Sequence, residues 1–168
     1  DFRNAGNRTN DGFAQIYNQI GTYFQVSVHG QEVNTVNNWN VAFIVDGRYL
    51  QMLTYSVSSF AGEIEAPGDV LQKLIAREIK AAERDLVSKL EVASKTGKNK
   101  DQLDWVLWQF DNPKAGAASR RVEKEMFLAV YLGGETLLLS SVVTDKDRPE
   151  QIEKFLIKMA DQVRLSNE

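Results

Sequence analysis

The sequence predicts an α+β fold, a largely antiparallel sheet flanked by a long central helix and a C-terminal helix. Two features of the strand-like segments point to the sheet. Their side chains alternate between apolar and polar, and tight two-residue turns join neighbouring segments. A third feature predicts the helices, since apolar residues recur at three- and four-residue spacing in two segments. Tight turns impose antiparallel pairing, so the sheet should be largely antiparallel.

The first half of the chain contains three predicted strands. Thr22–His29 alternates between apolar and polar side chains, which is typical of a strand with one apolar face. Two further runs, Trp39–Val45 and Arg48–Ser58, are separated by Asp46-Gly47. This dipeptide predicts a hairpin, because a type I′ turn needs two residues with positive φ. The earlier segment Phe13–Gln19 predicts a short helix or an irregular approach to the fold.

A long helix is predicted from about Gly68 to Lys95. Pro67 lies near its start, and Thr96-Gly97 would end it in a left-handed conformation. One continuous apolar stripe should pack this helix on the sheet. The stripe consists of Leu71, Leu74, Ile75, Ile79, Ala82, Leu86, Leu90 and Ala93.

The second half predicts three strands and a closing helix. The strands are Leu103–Phe110, Glu123–Leu132 and Glu135–Val143, and Gly133-Gly134 joins the last two as a hairpin turn. The helix extends from about Arg148 to Leu165 and carries a single apolar face. Both helices should therefore lie on the sheet.

The length of 168 residues suits one domain. Residues 1–11 are rich in Asn, Gly and Arg and predict a flexible N-terminal tether, with a single α+β domain over residues 12–168. A tether of this kind is typical of an exported protein of the periplasm or cell envelope, and a trimmed linker in a cytoplasmic protein would look the same. The interpretation favours export.

Composition argues against several functional classes. A net charge of -3 spread along the chain argues against nucleic-acid binding, which needs concentrated Lys and Arg. No apolar stretch is long enough for a transmembrane segment. Cysteine is absent and His29 is the single histidine, which excludes thiol chemistry and leaves no convincing ligand spacing for a metal. We therefore expect no cofactor and favour a protein that is not an enzyme.

The order of elements resembles the PsbP-like fold family, in which a central antiparallel sheet is flanked by helices. The resemblance covers the chain from Thr22 onward and is carried by the Asp46-Gly47 hairpin, the long helix through Leu90, the strand pair around Gly133-Gly134 and the helix Ile152–Leu165. It implies a non-catalytic accessory or binding domain, often exported. Metal ligands do not carry over, because no matching residues are present.

The aromatic strand Trp105–Phe110 is the strongest candidate for a partner-binding site. Trp105 and Trp108 point to opposite faces of the sheet, so helices on one face alone would leave one of them exposed. Arg120 and Arg121 follow nearby and could frame an acidic partner site. In the alternative interpretation both tryptophans are buried under helices on two faces.

Two functions are compatible with these features. The first is a non-enzymatic accessory or protein-binding domain that meets another protein through a sheet face or edge. The second is a small-molecule-binding protein or enzyme with a pocket between sheet and helix. A flat and partly apolar exposed patch would favour the first, and polar residues that converge on an enclosed cavity would favour the second.

The predicted stripe of the long helix leads to a first test. We expect Leu86→Ala to lower the free energy of unfolding by about 2–5 kcal/mol, the usual cost of truncating a core leucine. Urea denaturation measures this change. A loss under about 0.5 kcal/mol would show that Leu86 faces solvent and that the stripe is misphased.

Overall fold

A computed structural model describes residues 2–4, 12–18, 22–36, 41–62, 65–113 and 122–165. Eleven strands and two α-helices lie within these residues, together with a single turn of 3₁₀ helix at Val57–Ser59. In chain order they are β1 (Phe2–Asn4), β2 (Phe13–Asn18), β3 (Phe24–His29), β4 (Val33–Thr35), β5 (Val41–Val45), β6 (Arg48–Ser56), α1 (Pro67–Leu86), β7 (Ala93–Lys98), β8 (Asp104–Asp111), β9 (Val122–Tyr131), β10 (Glu135–Thr144), α2 (Pro149–Ala160) and β11 (Val163–Leu165).

The strands form two sheets, and every described pairing is antiparallel. The larger sheet has seven strands in the order β4-β5-β6-β10-β9-β8-β7, and the smaller has four in the order β1-β2-β3-β11. Two helices accompany them. The predicted α+β class and the predicted antiparallel sheet are therefore confirmed.

Both predicted hairpin turns are present. Asp46 and Gly47 have φ values of 49° and 78°, as a type I′ turn requires, and Val45 pairs with Arg48 across it. At the other turn Gly133 alone has a positive φ, of 90°, and the Leu132 N–H donates to the Glu135 carbonyl at 2.9 Å. Positive φ at the first central position only is the geometry of a type II′ turn.

One face of the seven-stranded sheet is buried under α2 and the smaller sheet. Phe24, Val26 and Val28 on β3 are fully buried against it. Helix α2 adds Ile152 and Leu156, both also fully buried. These residues and the inward side chains of β5, β6, β8, β9 and β10 form the larger hydrophobic core.

Helix α1 covers the opposite face, over β8 and β9. Its apolar stripe places Leu71, Leu74 and Ile75 in a second buried cluster. The sheet contributes Val106, Trp108, Ala129 and Leu138 to the same cluster. Both faces of the central strands are thus buried, each by a different helix.

The long helix ends earlier than the sequence predicts. Helix α1 stops at Leu86, and Val87 then takes a left-handed conformation with φ 54° and ψ 42°. The Glu83 carboxylate stabilises this turn by accepting a hydrogen bond from the Leu90 N–H at 3.1 Å. Residues 93–98, predicted to be the last helical turn and its stop, instead form strand β7 and pair with β8. Pairing with a distant strand overrides the local helical pattern.

Two further local predictions are wrong for the same reason. Residues 13–18, expected to be a short helix or irregular, form strand β2 and pair with β3. The closing helix ends at Ala160, and Val163–Leu165 turns into β11 on the other side of β3. Strand β11 pairs with a segment far away in sequence, and β2 pairs with β3 after a chain reversal. Periodicity in the sequence shows neither feature.

The N-terminal tether lies mostly outside the described residues. Phe2–Asn4 forms β1, which pairs with β2. The division into a tether at 1–11 and a domain at 12–168 stays a prediction. Neither helix that the structure describes is long and apolar enough to cross a membrane.

The observed helix end changes the expected cost of truncating its leucines. Leu74 is fully buried, whereas Leu86 is the last helical residue and only half-buried. We expect Leu74→Ala to cost about 2–5 kcal/mol in unfolding free energy and Leu86→Ala less than about 2 kcal/mol. Urea denaturation of the two variants side by side gives the comparison. Equal losses would contradict the helix boundary at Leu86.

Candidate functional site

The aromatic strand is buried on both faces. Trp108 is 0% exposed, and its ring stacks on Phe127 with centroids 5.3 Å apart. Trp105, on the other face, is 9% exposed and belongs to the larger core. The alternative with both tryptophans buried is the one observed, so neither offers a partner an exposed ring. Arg120 and Arg121 lie outside the described residues, and their role stays a prediction.

Trp105 nevertheless reaches the border of the sheet, because its neighbour on β7 is a glycine. Gly97 pairs with Trp105 across the two strands. A Cβ atom on Gly97 would lie 2.3 Å from the Trp105 ring, far inside van der Waals contact. The absent side chain is therefore what lets the indole lie flat across the edge strand.

An open cleft of about 440 Å³ lies beside this edge, between the first turns of α1 and strands β7 and β8. Its lining includes two buried apolar side chains, Leu71 and Val106. Asp69 and Gln72 of the helix and Thr96 of the edge strand, all exposed, supply polar groups. The site thus combines apolar and polar lining, as ligand sites commonly do.

Strand β7 forms one border of the seven-stranded sheet. Among the described strands none pairs with its outer side. It is six residues long, five of them exposed, whereas the other border strand of this sheet, β4, has three residues. An exposed edge strand presents a row of unpaired N–H and C=O groups to other chains.

The hydrogen-bond pattern shows which groups face outward. The Asn99 N–H donates to the Leu103 carbonyl at 3.0 Å, just beyond the β7–β8 ladder. Bonded and non-bonded pairs alternate along an antiparallel ladder, so Gly97, Lys95 and Ala93 direct their backbone groups to β8. The N–H and C=O groups of Ser94, Thr96 and Lys98 therefore point away from the sheet.

Both lysines of β7 are bound by carboxylates of their own chain. The Lys95 ammonium lies 2.7 Å from Glu153 on α2, and the Lys98 ammonium lies 2.8 Å from Asp104 on β8. Each pair is partly exposed and contributes little stability, typically about 0–1 kcal/mol. Their effect on the site is positional, since Lys95 is directed towards α2 and Lys98 towards β8.

A second group of polar side chains lies on α1 away from the cleft. Burial raises the pKa of Glu78, and it also raises the pKa of Tyr55, with which Glu78 shares a hydrogen bond. The Arg77 guanidinium lies 4.9 Å from the centre of the Tyr55 ring and donates to Ser59 at 3.2 Å. These contacts fasten α1 to β6 and the 3₁₀ turn, which is a structural role.

Potential metal ligands do not cluster in the described part of the chain. There, no three His, Asp or Glu side chains come close enough together to hold a metal ion. His29 is exposed at the end of β3, opposite Phe13. The residues that the fold does bring together are those of the cleft and the edge strand.

The sequence does not predict strand β7, because the segment carries no strand signal. All residues of β7 are exposed except Gly97, which is half-buried, so no apolar alternation marks the strand. By local chemistry alone, Thr96-Gly97 favours a helix end. The absence of large apolar residues between Val92 and Leu103 is the sequence signal against a longer helix.

Two glycines that line the cleft should respond oppositely to alanine. Gly97→Ala drives a methyl group into the Trp105 ring and should cost about 1–3 kcal/mol in unfolding free energy. Gly68→Ala, in the first turn of α1 with nothing within 4 Å of the new Cβ, should stabilise by about 0.5 kcal/mol. Thermal and urea unfolding measure both. A neutral Gly97→Ala would contradict the placement of the indole.

Comparison with known proteins supports the fold. No protein-family model matches the sequence, and no curated protein matches it. Among solved structures, the solution structure of cyanobacterial PsbP (CyanoP) from Synechocystis sp. PCC 6803 is similar, with a TM-score of 0.53 and 11% identity. The match covers 98% of this chain and 92% of that one. The sequence-based resemblance is therefore confirmed, and the chain has the PsbP-like fold.

Proposed function

We propose that this protein is a non-enzymatic accessory domain that binds another protein at the border of its seven-stranded sheet. The observation that carries the proposal is strand β7, six residues long and exposed along almost its whole length. Its outward N–H and C=O groups lack a strand partner in the part of the chain that is described. Such a border is where proteins add a strand from another chain.

The cleft beside β7 gives the same border a means of selecting its partner. Hydrogen bonds to an edge strand contact only the backbone of the partner, so specificity has to come from pockets for side chains. Here most of the surface that the cleft exposes is apolar, and Asp69 offers a carboxylate. The lining is thus suited to a protein side chain next to the added backbone.

A second candidate function, small-molecule binding, rests on the size of the same cleft. A volume of about 440 Å³ is within the range of ligand pockets, roughly 300–1,000 Å³. The cleft also lies between helix and sheet, where the sequence analysis placed its alternative. It ranks second because the cleft is open along β7 and its polar groups, Asp69, Gln72 and Thr96, are on exposed residues.

Photo-cross-linking separates the two functions. Gln72→p-benzoylphenylalanine places the probe on an exposed residue of the cleft, and Lys146→p-benzoylphenylalanine places it on an exposed residue outside the lining. We expect irradiation of the source cells to give an adduct with a second protein from the Gln72 variant and none from the Lys146 variant, as read by mass spectrometry. No adduct, together with a small molecule retained in native mass spectra, would favour the second function and overturn the first.

A further inference from the structure

The backbone geometry of β7 and the lining of its cleft specify the kind of partner. We propose that an extended peptide segment adds to β7 as an eighth strand, with apolar and basic side chains alternating on the face that meets the cleft. This inference rests on the protein-binding function proposed above and names the mode of binding.

The backbone groups set the register. Ser94, Thr96 and Lys98 direct their N–H and C=O groups outward, at every second residue as strand addition requires. These positions span five residues, so a segment of about five or six residues would use them all. Pairing at β7 would continue a sheet that already has seven strands.

The side-chain site lies on the α1 side of the added strand. Thr96 pairs with Val106, and Val106 is buried under α1, so the Thr96 side chain lies on the helix side of the sheet. Residues of an added strand that point to this side enter the cleft beside Leu71 and Val106. An apolar side chain fits here, because most of the surface that the cleft exposes is apolar.

The charges of the cleft favour a basic residue on the same face of the added strand, two positions from the apolar one. The cleft has two carboxylates, Asp69 and Asp104, and one ammonium, Lys98. Lys98 is bound to Asp104 at 2.8 Å, which leaves the exposed Asp69 to attract a cation. Lysines on a strand border usually block association. Here both lysines are paired with carboxylates of the same chain, Lys95 with Glu153 on α2 and Lys98 with Asp104 on β8.

The probe is the synthetic peptide acetyl-Thr-Val-Thr-Lys-Thr-Val-amide, titrated into the intact chain and followed by amide hydrogen exchange in NMR spectra. At ten times Kd we expect exchange at Ser94, Thr96 and Lys98 to slow by about tenfold. The amides of Lys95 and Gly97, already bonded to β8, should keep their protection. Two N-methylated versions, blocked at odd or at even positions, should differ, with one binding and the other not.

Protein variants separate the backbone and charge contributions. Thr96→Pro removes an outward N–H and leaves the β8 ladder intact, so it should weaken peptide binding by about tenfold in a folded protein. Lys95→Pro removes an inward N–H and should instead lower the melting temperature. Asp69→Asn should weaken binding about threefold, whereas Asp145→Asn, at an exposed carboxylate outside the cleft lining, should not.

Several outcomes would overturn strand addition. They are no binding at about 1 mM peptide, protection confined to other amides, or unchanged affinity in folded Thr96→Pro. Concentration-dependent dimerisation that protects the same amides without peptide would make a second copy the occupant and also overturn the assignment. A protein adduct at Gln72 without protection of these amides would leave the proposed protein-binding function standing and remove only this mode.

Discussion

The fold depends on a sheet whose central strands are apolar on both faces. Successive side chains of a strand point to opposite sides, so Trp105 and Leu107 need cover on one face and Val106 and Trp108 on the other. Helix α2 and the smaller sheet supply the first cover, and α1 supplies the second. Burial of these large side chains is the main favourable contribution, at roughly 1.5–3 kcal/mol for each. Both helices and the smaller sheet are placed by this requirement.

The candidate site is where that cover ends. Helix α1 packs on β8 and β9, while β7 extends one strand further and remains exposed. The cleft forms where α1 ends its cover of β8 and β7 continues the sheet beyond it. On the opposite face, the Trp105 ring approaches β7 closely because Gly97 has no side chain.

A buried asparagine holds this border rigid. Asn99, 3% exposed in the β7–β8 turn, donates from Nδ2 to the carbonyls of Ala160 and Val163 at 3.0 and 3.3 Å. Its Oδ1 accepts from the backbone N–H groups of Asp101 and Leu103. Both polar ends are thus satisfied, as burial demands. The turn at the end of β7 is fastened to the end of α2, so a partner would meet an ordered strand border.

Sequence alone determined the features that depend on near neighbours in the chain. The Asp46-Gly47 and Gly133-Gly134 hairpins follow from turn chemistry, and the start of α1 follows from Pro67 and the apolar stripe. Those local rules also led to the α+β class and to the PsbP-like resemblance. Only the tertiary structure decided where α1 stops, that 93–98 is a strand, and that both tryptophans are buried. Each of these depends on a partner far away in sequence: β8 for the edge strand, and two separate layers for the tryptophans. Exposed border strands leave no apolar period in a sequence, because their stability comes from backbone hydrogen bonds to a neighbour.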